Sequence, residues 1–122
     1  MSYNKLTKLN LSKNKKLKIL DIQVNKFSDL NNKSFKLPKN CVLEELCLDS
    51  IKKMKTLDVS NLKKLKYLRV LGCPKLKKIK MEKNVKELEV GTSSYIKPAM
   101  KEISSKTIVV PKESKLTKLK LW

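Results

Sequence analysis

The 122-residue chain contains no histidine, and Arg69 is the only arginine among its 30 basic residues. Without histidine the chain lacks the commonest general base and a common zinc ligand. The three cysteines, Cys41, Cys47 and Cys73, do not form a C-x-x-C motif, and only two glycines are available, too few for a glycine-rich phosphate loop. We therefore expect a non-enzymatic protein with no catalytic residues, no metal and no cofactor.

Long apolar runs are also missing. Nowhere do 18 apolar residues occur together, and no signal-peptide pattern precedes the first repeat at Leu6. The sequence as written thus shows no membrane span and no secretion signal, and a complete chain of this kind is expected in the cytoplasm. Aromatic residues make up only 5% of the chain, so leucine, isoleucine and valine must fill its core.

The chain has 30 basic and 11 acidic residues and a formal net charge of +19. Such a charge favours contact with nucleic acid, an acidic glycopolymer or an anionic membrane. Almost all of it is lysine, a mobile and well-hydrated point charge, whereas base readout and bidentate phosphate binding favour arginine. A solvated lysine surface is therefore the preferred interpretation, and contact with a polyanion is the alternative.

The motif L-x-x-L-x-L, with other aliphatic residues replacing some leucines, recurs along the whole chain. Four consecutive copies, starting at residues 43, 54, 65 and 76, are spaced 11 residues apart. A fixed period indicates a stack of similar units. In each copy the last two apolar residues flank a polar one, which is typical of a short strand with one buried face. The eight copies begin at Leu6, Leu17, Leu43, Met54, Leu65, Leu76, Val85 and Leu116.

One motif is too short to form a closed coil with a core of its own. Eleven extended residues reach about 36 Å, and two packed sheets already need about 10 Å between them. The sequence therefore predicts a mostly-β, right-handed parallel solenoid of about five short coils, with two strands per coil and little or no helix. We expect one domain over residues 1–122. Phe27–Leu30 and Met100–Ile103 are interpreted as weak half-units inside longer turns.

The segment from Leu6 to Asn14, and the matching segment from Leu17 to Asn25, resemble the L-x-x-L-x-L-x-x-N/C consensus of leucine-rich repeats. The alternation of ten- and eleven-residue halves is similar to the short bacterial class called IRREKO. The segment 72–85 looks like the BspA-like repeats of bacterial and protist surface proteins. This resemblance implies a binding module, secreted or at the cell surface, that is a segment of a longer array. It also implies a structural ladder in the N/C position, formed by Asn14, Asn25, Cys73 and Asn84. The three asparagines are expected to be buried, with their side-chain amides bonding backbone groups of adjacent coils.

The outward strand positions are the candidate binding surface. One face concentrates the aromatic, arginine and apolar residues that are common in interfaces, with Tyr67, Arg69 and Leu71 at its centre. The candidate binding residues on this face are Ile19, Cys47, Tyr67, Arg69, Leu71 and Trp122.

We expect a protein partner for this face and no small-molecule substrate. Two other functions remain open, which are electrostatic binding of a polyanion and a structural spacer without a ligand. The repeats also begin and end without polar capping units, so association of solenoids end to end is a further expectation.

Overall fold

The computed structural model describes residues 5–23, 25–31, 34–91 and 108–121. In these ranges the chain forms short strands and no helix, and so no helix that could cross a bilayer. The strands are β1 (Leu9–Asn10), β2 (Ile19–Asp21), β3 (Phe35–Lys36), β4 (Glu45–Asp49), β5 (Thr56–Asp58), β6 (Tyr67–Leu71), β7 (Lys78–Lys80), β8 (Glu87–Gly91), β9 (Ile108–Val109) and β10 (Lys118–Leu121).

Successive strands alternate between two faces of a parallel solenoid. The even-numbered strands form one five-stranded sheet in the order β10-β8-β6-β4-β2. The odd-numbered strands form a three-stranded sheet, β5-β7-β9, and a two-stranded sheet, β1-β3. Each step across the five-stranded sheet is one turn of the solenoid, which makes about four turns. The predicted parallel solenoid with two strands per coil is confirmed, and its size is close to the expected five coils.

The register of the sheets aligns the second leucine of each motif into a buried column. Leu46, Leu68 and Leu88 occupy equivalent positions on β4, β6 and β8. All three are buried, as are Leu57 and Ile79 on the opposite face. Each leucine packs on the same residue type in the coils above and below it, so the core depends on stacking rather than on contacts within one coil.

Two equivalent turns follow β4 and β6 with the backbone in the left-handed region. Ser50 has φ 66° and Gly72 has φ 62°. The Ser50 amide donates to the Leu71 carbonyl over 3.0 Å, and the Gly72 amide donates to the Gly91 carbonyl over 2.8 Å. Glycine adopts this region without the steric penalty of a Cβ atom. The ladder between coils therefore continues past the strand ends into the turns.

The segment between β2 and β3 departs from the predicted pattern. Phe27 and Leu30 were expected to form a half-unit, but the strand forms at Phe35–Lys36 instead. That expectation is wrong because Phe35 takes the register position opposite Leu9, while Phe27 is buried beside it. The two phenylalanine rings meet edge-on, with centroids 6.4 Å apart and planes at 88°. The other weak half-unit, Met100–Ile103, lies outside the described residues.

The β10 end of the core is open. Leu119 and Leu121 occupy inward positions of β10, yet they are 49% and 54% exposed. The repeat pattern predicted a buried Leu121, which is wrong because no strand in the described part of the chain packs on the far side of β10. Leu88, which pairs with Leu119, is fully buried because β8 lies between β6 and β10.

Candidate binding face

The outward side chains of the five-stranded sheet form two rows across the strands, which we call the sheet face. Adjacent parallel strands lie about 4.8 Å apart, so neighbours within a row are close to one another. The first row contains Ile19, Glu45, Tyr67, Glu87 and Lys118. The second row contains Asp21, Cys47, Arg69, Glu89 and Lys120.

Arg69 lies at the centre of the second row and pairs with Glu89 on the next strand. Arg69 Nε is 3.3 Å from Glu89 Oε2, and the two side chains are 30% and 16% exposed. Nε itself is buried and makes no hydrogen bond. The separation is short enough for an ion pair, but the N–H direction does not suit a hydrogen bond. The contact therefore acts mainly through charge.

Tyr67 and Cys47 are both neutral at physiological pH. Burial raises the pKa of Tyr67 to about 12, and the Glu89 carboxylate adds to this effect. Burial also raises the pKa of the Cys47 thiol to about 11, with a further contribution from Asp21 that Arg69 partly opposes. Tyr67 thus keeps its phenol proton, and Cys47 is not a thiolate nucleophile. These groups fit molecular recognition better than covalent chemistry.

The sheet face differs in charge from the rest of the molecule. In the two rows, the positions on β2, β4, β6 and β8 hold four of the 11 acidic residues but only one of the 30 basic residues, Arg69. Lys118 and Lys120 follow at the β10 edge. A chain with a net charge of +19 therefore presents a mainly acidic surface on the part of this sheet from β2 to β8. The four acidic residues are Asp21, Glu45, Glu87 and Glu89.

Leu71 does not belong to the accessible part of this face. It is 5% exposed, and Asp49 beside it on β4 is 2% exposed. The chain turns at Ser50 and Gly72 immediately after β4 and β6. The alternation of buried and more exposed side chains therefore stops before the last residue of each strand. The prediction of Leu71 as a contact residue is wrong for this reason.

The other predicted contact residues occupy different parts of the sheet face. Tyr67, Arg69 and Cys47 are half-buried near its middle, and Ile19 is 60% exposed at the β2 edge. Trp122 lies outside the described residues. The structure therefore brings together Tyr67, Arg69 and Cys47, with Ile19 at the margin.

Asn25 is the buried member of the predicted structural ladder. Its Nδ2 donates to the carbonyls of Ile22 and Gln23, at 3.1 and 3.3 Å. Its Oδ1 accepts from the Leu6 amide at 3.3 Å. One side chain thus joins the turn after β2 to the segment that precedes β1, in agreement with its predicted burial.

The remaining ladder residues have varied surroundings. Asn84 is half-buried and donates through Nδ2 to the Lys63 carbonyl of the preceding coil, at 3.1 Å. Cys73 is buried, which raises the pKa of its thiol to about 12, and its Sγ lies 3.4 Å from the Leu71 carbonyl. Asn14 is exposed. The prediction of a buried Asn14 is wrong: its side chain is exposed in the turn after β1, where its backbone amide donates to the Leu11 carbonyl at 2.9 Å.

A second surface feature, the lysine cleft, lies beside the segments that lead into the even-numbered strands. Its volume is about 500 Å³. Backbone bonds stack these segments, since the Lys66 amide donates to the Glu44 carbonyl and the Lys86 amide to the Lys66 carbonyl, both at 2.8 Å. Glu44 also forms a surface ion pair with Lys18 at 3.8 Å, which contributes little to stability. The cleft is lined by Val42, Glu44, Lys63, Lys64, Lys66, Asn84, Lys86 and Lys115.

Within the part of the chain that the structure describes, no group of three or more histidine, cysteine or acidic side chains is placed to hold a metal ion. In comparisons with known proteins, no family profile, curated protein or solved structure matches this chain. The solenoid architecture therefore rests on the repeat period and the observed strand register, and the two surfaces must be interpreted from their own chemistry.

Proposed function

We propose that the chain is a leucine-rich repeat module that binds another protein through the sheet face. One observation supports this most directly, which is that tyrosine, arginine and carboxylates converge on this face while lysine dominates elsewhere. Tyrosine and arginine carry much of the binding energy in protein interfaces. The surrounding carboxylates favour a partner with a basic or hydrogen-bond-donating surface. The repeat resemblance supports a secreted or cell-surface setting.

The rigidity of the sheet supports the same function. Tyr67 and Arg69 project from β6, which is hydrogen-bonded to β4 and β8 on its two sides. Leu68, between them, is fully buried. Side chains that are already positioned lose less conformational freedom on binding, so more of their contact energy appears as affinity.

Single substitutions on the two faces test this function. Immobilised wild-type protein, Tyr67→Ala, Arg69→Ala and the control Lys80→Ala are compared for capture of proteins from cells of the source organism. Lys80 is exposed and lies on the opposite face. We expect a protein that wild type and Lys80→Ala retain, with affinity reduced about tenfold or more by Tyr67→Ala.

Melting temperatures of the four proteins are the necessary control. They should agree closely, since Tyr67 and Arg69 are only half-buried. Equal capture of every retained protein by all four variants would remove the sheet face as the binding surface.

The lysine cleft favours a second candidate function, electrostatic binding of a polyanion. Five of its eight lining residues are lysine and one is acidic. The test is titration with heparin over a range of salt concentrations. Lys66→Ala/Lys86→Ala should lower the slope of log K against log salt by about two. Lys75→Ala/Lys77→Ala is a control of equal net charge outside the cleft, and heparin affinity that is insensitive to salt would contradict this function.

A structural spacer is the outcome that remains if both tests fail. In that case wild type captures no protein that depends on Tyr67, and heparin binding does not distinguish the two lysine pairs.

A further inference from the structure

The second face of the solenoid is interrupted between β3 and β5. On the five-stranded sheet β4 lies between β2 and β6. Because β3 immediately precedes β4 in the chain, β3 lies between β1 and β5 on the opposite face of the same stack. β1 pairs with β3, and β5 pairs with β7, but no ladder joins β3 to β5 in the described residues. Coil length is not the cause, since Phe35 and Leu57 are 22 residues apart, as are the paired residues Leu57 and Ile79.

One backbone N–H group that would pair β3 with β5 donates its hydrogen bond to another acceptor. In the β1–β3 ladder the Leu9 amide donates to the Ser34 carbonyl at 2.7 Å. By the repeat, the equivalent donor on the next strand is the Phe35 amide, and its acceptor would be the Thr56 carbonyl. The Phe35 amide instead donates to the Asn31 carbonyl at 2.8 Å, inside the preceding turn. The long turn before β3 therefore removes a bond that the regular coils make.

The next bond of the ladder is missing as well. The Val59 amide donates to the Lys80 carbonyl at 2.8 Å, but no corresponding bond joins the Leu37 amide to the Asp58 carbonyl within the described segment 34–91. Backbone groups of alternate residues point to opposite sides of a strand. Val59 bonds towards β7, so the peptide groups of Thr56 and Asp58 face β3. The edge of β5 that faces β3 is thus free for pairing.

A cleft of about 990 Å³ opens at this interruption. Its lining includes Phe35 and Leu37 from the β3 side and Leu57 from β5. One residue of an extended strand occupies about 4.8 Å by 3.3 Å by 10 Å, or about 160 Å³, so the cleft has room for about six residues. Four lysines and one acidic residue contribute to its lining, namely Lys36, Lys39, Lys63, Lys64 and Asp58.

We propose that the cleft between β3 and β5 binds an extended acidic segment of a partner protein by strand addition. The segment pairs with the free edge of β5 through the peptide groups of Thr56 and Asp58. Its alternate apolar side chains contact Phe35 and Leu57, and its acidic side chains face the lysines. An alkyl chain would satisfy the apolar lining but would leave the strand edge unpaired. The site lies on the face opposite the sheet face and does not depend on the function proposed there.

Fluorescence anisotropy with two labelled peptides tests this site on the full chain. The probes are the acetylated, amidated hexapeptide of alternating glutamate and valine, and its counterpart with lysine in place of glutamate. We expect the acidic peptide to bind and the basic peptide not to bind. Thr56→Pro removes an edge N–H at an exposed position where proline is tolerated, and it should weaken acidic-peptide binding about tenfold.

Variants with equal net charge distinguish peptide binding in the cleft from attraction to the overall positive charge of the chain. Lys36→Ala/Lys39→Ala should weaken binding of the acidic peptide, whereas Lys75→Ala/Lys77→Ala should not. Equal affinity for both peptides, or equal loss in the two double variants, would overturn the proposal. Displacement of the peptide by oleate, with unchanged binding by Thr56→Pro, would also overturn it and assign the cleft to an amphiphile.

Circular dichroism checks that Thr56→Pro keeps the strand content of wild type. If that variant does not fold, amide hydrogen exchange on the wild-type protein provides the decisive measurement. The acidic peptide must slow exchange of the Thr56 and Asp58 amides relative to that of Lys78, and unchanged exchange at both positions would refute strand addition.

Discussion

Leu68 and Leu119 occupy the same place in the repeat but have very different surroundings, and truncating each to alanine measures the contribution of stacking. Leu68 is fully buried on β6, with a coil on either side, whereas Leu119 on β10 is 49% exposed. The substitution is chemically identical at both sites. Any difference in stability therefore reports how completely the neighbouring coils enclose each leucine.

The expected magnitudes follow from this difference in burial. Leu68→Ala leaves a cavity between Leu46 and Leu88, and such changes cost about 2–5 kcal/mol. Leu119 buries only about half of its surface and leaves no enclosed cavity, so half of the usual transfer free energy, about 1 kcal/mol, is lost. Leu68→Asp would place a carboxylate in the same apolar space and should prevent folding.

Urea denaturation followed by far-ultraviolet circular dichroism measures both changes. With a slope of about 1–3 kcal/mol per molar urea, Leu68→Ala should lower the midpoint by about 1–2 M and Leu119→Ala by about 0.5 M. The comparison requires equal slopes for the three proteins. Equal destabilisation by the two substitutions would refute an open β10 end, and a negligible effect of Leu68→Ala would refute the stacked core itself.

Two further predictions concern the structural ladder and the neutral groups of the sheet face. Asn25→Ala removes the hydrogen bonds to Leu6, Ile22 and Gln23 from a buried site and should lower the free energy of unfolding by about 1–3 kcal/mol. Asn14→Ala, at an exposed site, should change the free energy of unfolding by less than about 0.5 kcal/mol. Similar melting temperatures for the two variants would contradict the assigned role of Asn25. Above pH 9 the unfolded chain loses protons that folded Cys47 and Tyr67 retain, so the free energy of unfolding should fall as pH rises from 9 towards 12. Cys47→Ser combined with Tyr67→Phe should flatten this fall in urea titrations at several pH values, and an unchanged slope would contradict the burial of these groups.

The strand positions could be predicted because period-two alternation is local information. The segment Leu46-Cys47-Leu48 lies within β4, and Leu68-Arg69-Val70 lies within β6. The position of β3 could not be predicted in the same way. Phe27 and Phe35 are both aromatic residues in irregular sequence, and the strand is decided by which of them meets Leu9 across the coil.

The rows of the sheet face could be predicted by aligning the second aliphatic residue of each motif copy, but not from a fixed period. Glu45 and Tyr67 are 22 residues apart, whereas Tyr67 and Glu87 are 20 residues apart, yet all three lie in one row. A fixed period would have misaligned them by two residues. The burial of Leu71 could not be predicted in this way, because it depends on how the chain turns after the strand rather than on the strand pattern.

The separation of acidic and basic residues gives the molecule an asymmetric charge distribution. A uniform charge of +19 would attract the chain to an anionic surface in any orientation. With four carboxylates on the five-stranded sheet, the same surface attracts the lysine-covered sides more strongly than this one. Screening limits the effect to within about 8 Å of the surface at physiological ionic strength. Near contact with such a surface, the charge distribution therefore favours orientations in which Tyr67 and Arg69 face the solution.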